Sequence, residues 1–183
     1  MELGQRIMII GCGGAGKSTL ARQLGELLDL PVIHLDTHFW QPGWVEMPKA
    51  EWLRTVETLT QGDRWIIDGN YTGTLHIRFA AADTVLFLDY SRWLCLWRVI
   101  GRIVRYYGQT RPDLGPGCQE RFDWSIFPFI RWVCIDFPRR SRVRIMKLLE
   151  QCTDELKIVT HRSPRETRRL LEALSVVAEK DHV

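Results

Sequence analysis

Eight residues constrain this chain more than any other stretch. Gly11-Cys12-Gly13-Gly14-Ala15-Gly16-Lys17-Ser18 satisfies every fixed position of the pattern G-x-x-x-x-G-K-[ST]. The apolar run Arg6–Ile10 leads into it, and Leu20, Leu24, Leu27 and Leu28 fall on one side of the helical pattern that follows. Glycines let a backbone curl until successive N–H groups point at one oxygen-rich group. The start of a helix adds partial positive charge at the same place. Gly11, Gly13, Gly14, Ala15, Gly16, Lys17, Ser18 and Thr19 are therefore expected to hold a nucleoside triphosphate, ATP, with Mg2+. Lys17 would reach the β- and γ-phosphates, and the Ser18 hydroxyl would ligate Mg2+. The plainer reading, a glycine turn between strand and helix, explains neither the lysine nor the hydroxyl.

Further short apolar runs read as buried strands: Val32–Leu35, Trp65–Ile67, Thr84–Leu88 and Leu156–Thr160. Helical patterns lie between them at Lys17–Leu28, Lys49–Thr60, Thr74–Ala81, Ser91–Tyr107 and Pro164–Leu174. The alternation predicts an α/β fold of the P-loop type, a doubly wound five-stranded parallel sheet with helices on both faces. One domain over residues 1–183 suits the length. The stretch Gly108–Pro138 breaks the alternation. It holds Pro112, Pro116, Pro128 and Pro138, shows no regular period, and reads as an arginine-bearing lid over residues 108–138.

Net charge is +3, too small to argue for nucleic acid by itself. It is unevenly spread: Ser91–Lys147 holds twelve Arg or Lys against four Asp or Glu, a surplus of +8 that leaves −5 for the remainder. Such a segment suggests a local anion site, and direct DNA contact is the less favoured use of it. Five cysteines with no CxxC pair give neither a disulfide framework nor a zinc site. Asp89, Arg92, Arg98 and Arg102 interrupt the longest apolar region, Thr84–Val104, so no membrane span is expected. With no secretory signal in view, a cytoplasmic setting with reduced thiols is the expectation.

Beyond the octapeptide, FWQPGW, WIIDGNYTGTL, AADTVLFLDYSR and RPDLGPGCQERFD together resemble the bacterial topology modulation proteins of the FlaR type, from about Ile7 to Val143. Those proteins resemble a branch of the adenylate-kinase-like P-loop kinases. The resemblance implies ATP binding and a kinase activity without naming an acceptor. The family label suggests an influence on DNA that need not involve contact.

On that basis the other candidates take provisional roles. Asp36 follows the second strand, where a carboxylate accepts a proton from an acceptor hydroxyl or holds Mg2+ through water; a turn aspartate capping its own backbone is the alternative. Asp68 ends the third strand, as does the carboxylate that supports the Mg2+ shell in this class, and it resembles the aspartate of the adenylate kinase D-G-F-P-R motif. Asn70-Tyr71 replaces the aromatic-Pro-Arg run of that motif, so its arginine is missing and Arg78 is the substitute for holding substrate. Phe39, Trp40 and Trp44 either line an acceptor site for a flat ring or pack as core, with His38 a polar contact and His34 structural.

Arg98, Arg102 and Arg105 share one helix face, with Trp93, Trp97, Ile100 and Val104 opposite and expected to face the core. By analogy with adenylate kinases, Arg98 and Arg102 are expected at the nucleotide. Arg111 and Arg121 are lid candidates for the phosphates, with Arg121 given a catalytic role. Arg162 is carried over as an adenine-loop contact, and Arg139, Arg140, Arg142 and Arg144 read as solvent-facing. The expected function is transfer of the γ-phosphoryl group to a small acceptor (nucleotide, nucleoside or other hydroxylated metabolite). The rivals are an ATP-dependent DNA-binding regulator and a slow nucleotide-hydrolysing switch.

Overall fold

The structure is a computed structural model; it describes residues 3–120, 124, 126–152 and 156–180, with backbone only for 178–180. Its centre is strand β1 (Arg6–Gly11), where Ile7, Met8, Ile9 and Ile10 are wholly buried. An unalternating apolar run behaves this way when a strand is covered on both faces. Each such side chain contributes about 1.5–3 kcal/mol by leaving water. β2 (Val32–His34), β5 (Trp65–Asp68), β6 (Thr84–Leu88) and β7 (Lys157–His161) complete a parallel sheet in the order β2-β5-β1-β6-β7. The small antiparallel hairpin β3 (Trp40–Gln41) and β4 (Val45–Glu46) stands apart from it. The chain leaves β1 toward one edge of the sheet and later returns to the other side. That reversal opens a crevice beyond the carboxyl ends of β1, β5 and β2, where ligands of such sheets sit.

Helix α1 (Lys17–Leu28) starts immediately after the glycine loop, with Leu20, Ala21 and Leu24 buried. α2 (Leu35–Phe39) ends β2 a residue early, so Leu35 is helical and Asp36 lies in the first turn of a short helix. α3 (Lys49–Leu59), α4 (Leu75–Ala81), α5 (Arg92–Arg105) and, after β7, a C-terminal helix over Pro164–Lys180 follow the expected pattern within a few residues, except that the last runs longer.

Helix α5 is turned the other way from its predicted orientation. Cys95, Val99 and Ile103 are its buried side chains, whereas Trp93, Trp97 and Val104 are 64%, 75% and 68% exposed. Arg98 and Arg102 share the inward side with the buried residues, because backbone carbonyls and carboxylates at the carboxyl end of the sheet receive their guanidinium groups. Burying the larger apolar face would have left those groups without donors.

The stretch 108–138 is also only partly irregular. Residues 108–120 form a loop held by bridges between Tyr107 and Glu120 and between Thr110 and Gln119. From Ile126 the chain is helical: α6 (Ile126–Arg131), a π-helical stretch (Trp132–Ser141) and α7 (Arg142–Glu150). Ile126, Val133, Phe137 and Ile145 supply the buried side. Pro138 breaks the period that would have revealed this helix, and a wide turn accommodates its missing N–H. Arg142, expected in solvent with Arg139, Arg140 and Arg144, instead grips Asp89 with a two-pronged ion pair at 2.7 Å on each prong. That contact fastens the start of α7 beside the end of β6 and makes Asp89 structural. Arg139, Arg140 and Arg144 are exposed as expected. Among the described residues no helix is long and apolar enough to cross a membrane.

The orientation of α5 is testable by stability. Ile103→Ala should cost about 2–5 kcal/mol, as a buried large-to-small change does. Trp97→Ser should lie within about 0.5 kcal/mol of the parent, as for an exposed position. Urea denaturation checks both; the predicted core-facing tryptophans would reverse the order.

Candidate nucleotide and acceptor site

The glycine loop has the geometry its sequence demands. Gly14 and Gly16 take φ of 80° and 97°, in the left-handed region that favours glycine. A Cβ on Gly14 would stand 2.3 Å from the carbonyl oxygen of Cys95, so the loop and α5 pack backbone to backbone there. Lys17 Nζ donates to the Cys12 carbonyl at 3.1 Å, and Arg98 Nη1 donates to the Ala15 carbonyl at 3.1 Å. Two cations are thus anchored to carbonyls of the loop itself. Thr19 is exposed in the first turn of α1. A Cβ on Gly13 would fall 2.7 Å from Phe129, and the Cys12 thiol faces the Val133 carbonyl, so the α6–π segment lies against the loop.

Asp68 ends β5 beside β1 and makes the central contact of the site. Its Oδ2 accepts from the Ser18 hydroxyl at 2.7 Å, and its Oδ1 lies 2.5 Å from His34 Nδ1. Burial works against the His34 imidazolium, but the hydrogen bond and charge of Asp68, with the charge of Asp113, outweigh it and raise its pKa. His34, structural by its place within the strand, is the residue that holds the second oxygen of Asp68. Its signal was position: β2 pairs with β5 so that His34 stands level with Asp68. A hydroxyl beside a carboxylate at the phosphate loop is the donor set that Mg2+ takes when it keeps several waters and uses substrate phosphates. Ser18 and Asp68 fit that ion, and the glycine loop with Lys17 fits a triphosphate.

The candidate acceptor side begins at Asp36. Its Oδ1 accepts from the Tyr71 hydroxyl at 2.6 Å. The ring of Tyr71 lies against Phe39 and Trp52, with centroids 4.7 and 4.8 Å away. Phe39 therefore packs within an aromatic core, the plainer of its two readings. Trp40 and Trp44 are half-buried and meet edge to face at 5.4 Å on the β3–β4 hairpin. His38 is exposed. Arg78 does not serve as a substrate-holding arginine: it is fully buried, and its guanidinium donates to the carbonyls of Gly69, Asn70 and Tyr71. Burial lowers its pKa to about 9, which leaves it charged at neutral pH.

Residues 108–120 roof this side. Trp44 Nε1 donates to the Gln119 carbonyl, and Gly43 N–H to that of Gly117. A Cβ on Gly115 would press on the Trp40 and Thr37 carbonyls at 3.2 and 3.3 Å. The close approach of the two backbones explains a glycine at that position. Arg111 is buried and pairs with Glu120 and Asp113, at 2.8 Å each. Arg102, expected at the nucleotide, lies 3.3 Å from the same Glu120 oxygen. Arg105 is exposed. Arg121 lies outside the described residues. Arg162 is exposed, and its backbone N–H donates to Glu166, which also accepts from Ser163 to close the start of the C-terminal helix. The structure thus gathers Lys17, Ser18, Asp68, Asp36 and Arg98 at the carboxyl end of the sheet, and adds His34 and Tyr71.

A scan against protein-family models finds no match, and a search of curated proteins finds no sequence relative. Solved structures do match in fold. A shikimate kinase from Acinetobacter baumannii in complex with shikimate is similar at TM-score 0.57 and 16% identity, covering 97% of this chain and 94% of that one. A shikimate kinase from Bacteroides thetaiotaomicron is similar at 0.55 and 16%, covering 96% and 98%. A gluconokinase from Sinorhizobium meliloti 1021 is similar at 0.51 and 15%, covering 100% and 98%. At these identities the likeness establishes the fold, that of the P-loop kinases.

ATP with Mg2+ should therefore raise thermal stability, by about 2.7 kcal/mol at 100 times its dissociation constant. Lys17→Ala should remove most of the rise. Asp68→Asn should remove the part that depends on Mg2+. Melting curves with ATP, with and without Mg2+, check this; no shift at millimolar ATP is the contrary result.

Proposed function

We propose that the protein transfers the γ-phosphoryl group of ATP to a hydroxyl of a small acceptor. The observation that carries this reading is the placement of Asp36, a carboxylate beyond β2 at the same, carboxyl end of the parallel sheet as the loop and the Ser18–Asp68 pair. Mg2+, when bound through Ser18 and Asp68, neutralises charge on the phosphates. Lys17 and Arg98 offset the charge that develops on the transferred group. Asp36 accepts the proton of the acceptor hydroxyl as its oxygen bonds to the γ-phosphorus and the bond to ADP breaks.

The similar solved structures, a shikimate kinase holding shikimate and a gluconokinase, support a small hydroxylated acceptor over a macromolecule. Trp40, His38 and the 108–120 roof would surround that acceptor. Segment 108–138 would act as a lid in two halves, one over the acceptor and one against the loop. Arg121 would complete the charge clamp, and Arg162 would border the adenine. The specific motifs support membership among the topology modulation proteins, and five cysteines with no CxxC pair support a cytoplasmic setting with reduced thiols.

An ADP-release screen over nucleosides, nucleotides and hydroxylated metabolites tests the reading. With the acceptor in hand, Asp36→Asn should keep ATP binding and lower transfer by roughly 10²–10⁴-fold. Turnover equal to that of the parent would remove Asp36 from the reaction. ATP hydrolysis that no acceptor accelerates would favour a nucleotide switch instead.

A further inference from the structure

Tyr71 is held more firmly than a surface loop residue requires. Its carbonyl accepts from Arg78 Nη2 at 3.1 Å, from the Thr74 N–H at 3.0 Å and from the Thr74 hydroxyl at 3.1 Å. Arg78 is fully buried and spends its guanidinium on three successive carbonyls of this loop, with no carboxylate in hydrogen-bond contact. Burying a guanidinium costs several kcal/mol unless its donors are used. A buried cation given to loop carbonyls marks a loop whose position matters. Gly69, with φ 141°, lets the same loop close on α2, since a Cβ there would stand 2.8 Å from Leu35 Cβ. The ring is set by Phe39 and Trp52. Backbone and ring together leave the hydroxyl one direction, and it meets Asp36 Oδ1 at 2.6 Å.

We infer that Tyr71 is a positioning residue for phosphoryl transfer: its hydroxyl fixes the Asp36 carboxylate through one oxygen and leaves the other for the acceptor. The inference rests on the kinase reading above. Among the described residues, Tyr71 is the hydrogen-bond donor to Asp36. Asp36 sits in a five-residue helix, too short to be stable without contacts from outside it. Burial first, then the Asp36 charge and hydrogen bond, raise the Tyr71 pKa, so the phenol stays a donor at neutral pH. A carboxylate free to rotate would lose the near-attack geometry on which such a base depends.

A double-mutant cycle on the full chain tests this. Tyr71→Phe keeps the ring and removes the donor. It should lower kcat about 10- to 100-fold, the range for losing a hydrogen bond to a charged group. KM for ATP and the melting temperature should stay near the parent values. In an Asp36→Asn background the same change should cost less than about 2-fold, because Tyr71 acts through Asp36. An equal loss in both backgrounds, or none in the parent, overturns the inference. So does parent-like turnover of Asp36→Asn, which leaves nothing to position while the kinase reading survives.

A readout without acceptor separates the two further. With 13C at the tyrosine ζ carbon, one of the four tyrosine signals vanishes in Tyr71→Phe and is thereby assigned. It should shift in Asp36→Asn. A Tyr71 signal that Asp36→Asn leaves in place shows that the bond does not exist, whether or not any acceptor is found.

Discussion

The carboxylate of Asp68 ties together the parts of this site. It stands at the end of β5, accepts from Ser18 at the start of α1, and meets His34 at the end of β2. Three elements distant in sequence therefore share one charge, nearly buried beside the phosphate loop. A carboxylate in such surroundings is tolerable only because both oxygens have partners. The parallel register of β5 with β1 and β2 is what brings those partners level.

Around that point the arginines are sorted by which backbone or carboxylate group can receive them. Arg98 goes to a loop carbonyl, Arg102 and Arg111 to Glu120, Arg142 to Asp89 and Arg78 to the loop after β5. The basic surplus of the 91–147 segment is thus partly spent inside the molecule. An isolated pair on the surface contributes little, whereas these are buried or half-buried and determine which elements meet. Helix α5 shows the consequence: it turns two arginines inward and leaves two tryptophans in solvent.

The same logic divides the segment after α5. Its first part is drawn to the β3–β4 hairpin by backbone contacts and close-fitting glycines. Its second part buries an apolar side against α5 and the phosphate loop. One insert therefore touches both ends of the path a phosphoryl group would take.

The phosphate loop, the five strands of the main sheet and five of its helices were legible in the sequence, because each is a local property. Glycines at fixed spacing, an unbroken apolar run and a lysine-serine pair at a helix start allow few other conformations. The place of Asp68 at a strand end was also legible, whereas Asp36, expected directly after β2, lies in the first turn of α2. What only the tertiary structure decided was which groups meet. Apolar periodicity on α5 pointed its tryptophans to the core, but the carbonyls and carboxylates that claim Arg98 and Arg102 come from the phosphate loop and the 108–120 segment, far away along the chain. Arg78 could be named as a cation near the site, yet its partners are carbonyls, which every residue carries and no pattern reveals. His34 and Tyr71 acquire their meaning from strand register and from a loop closing on α2. Local residue spacing determines what an element is; which way its side chains face is determined by partners that only folding brings within reach.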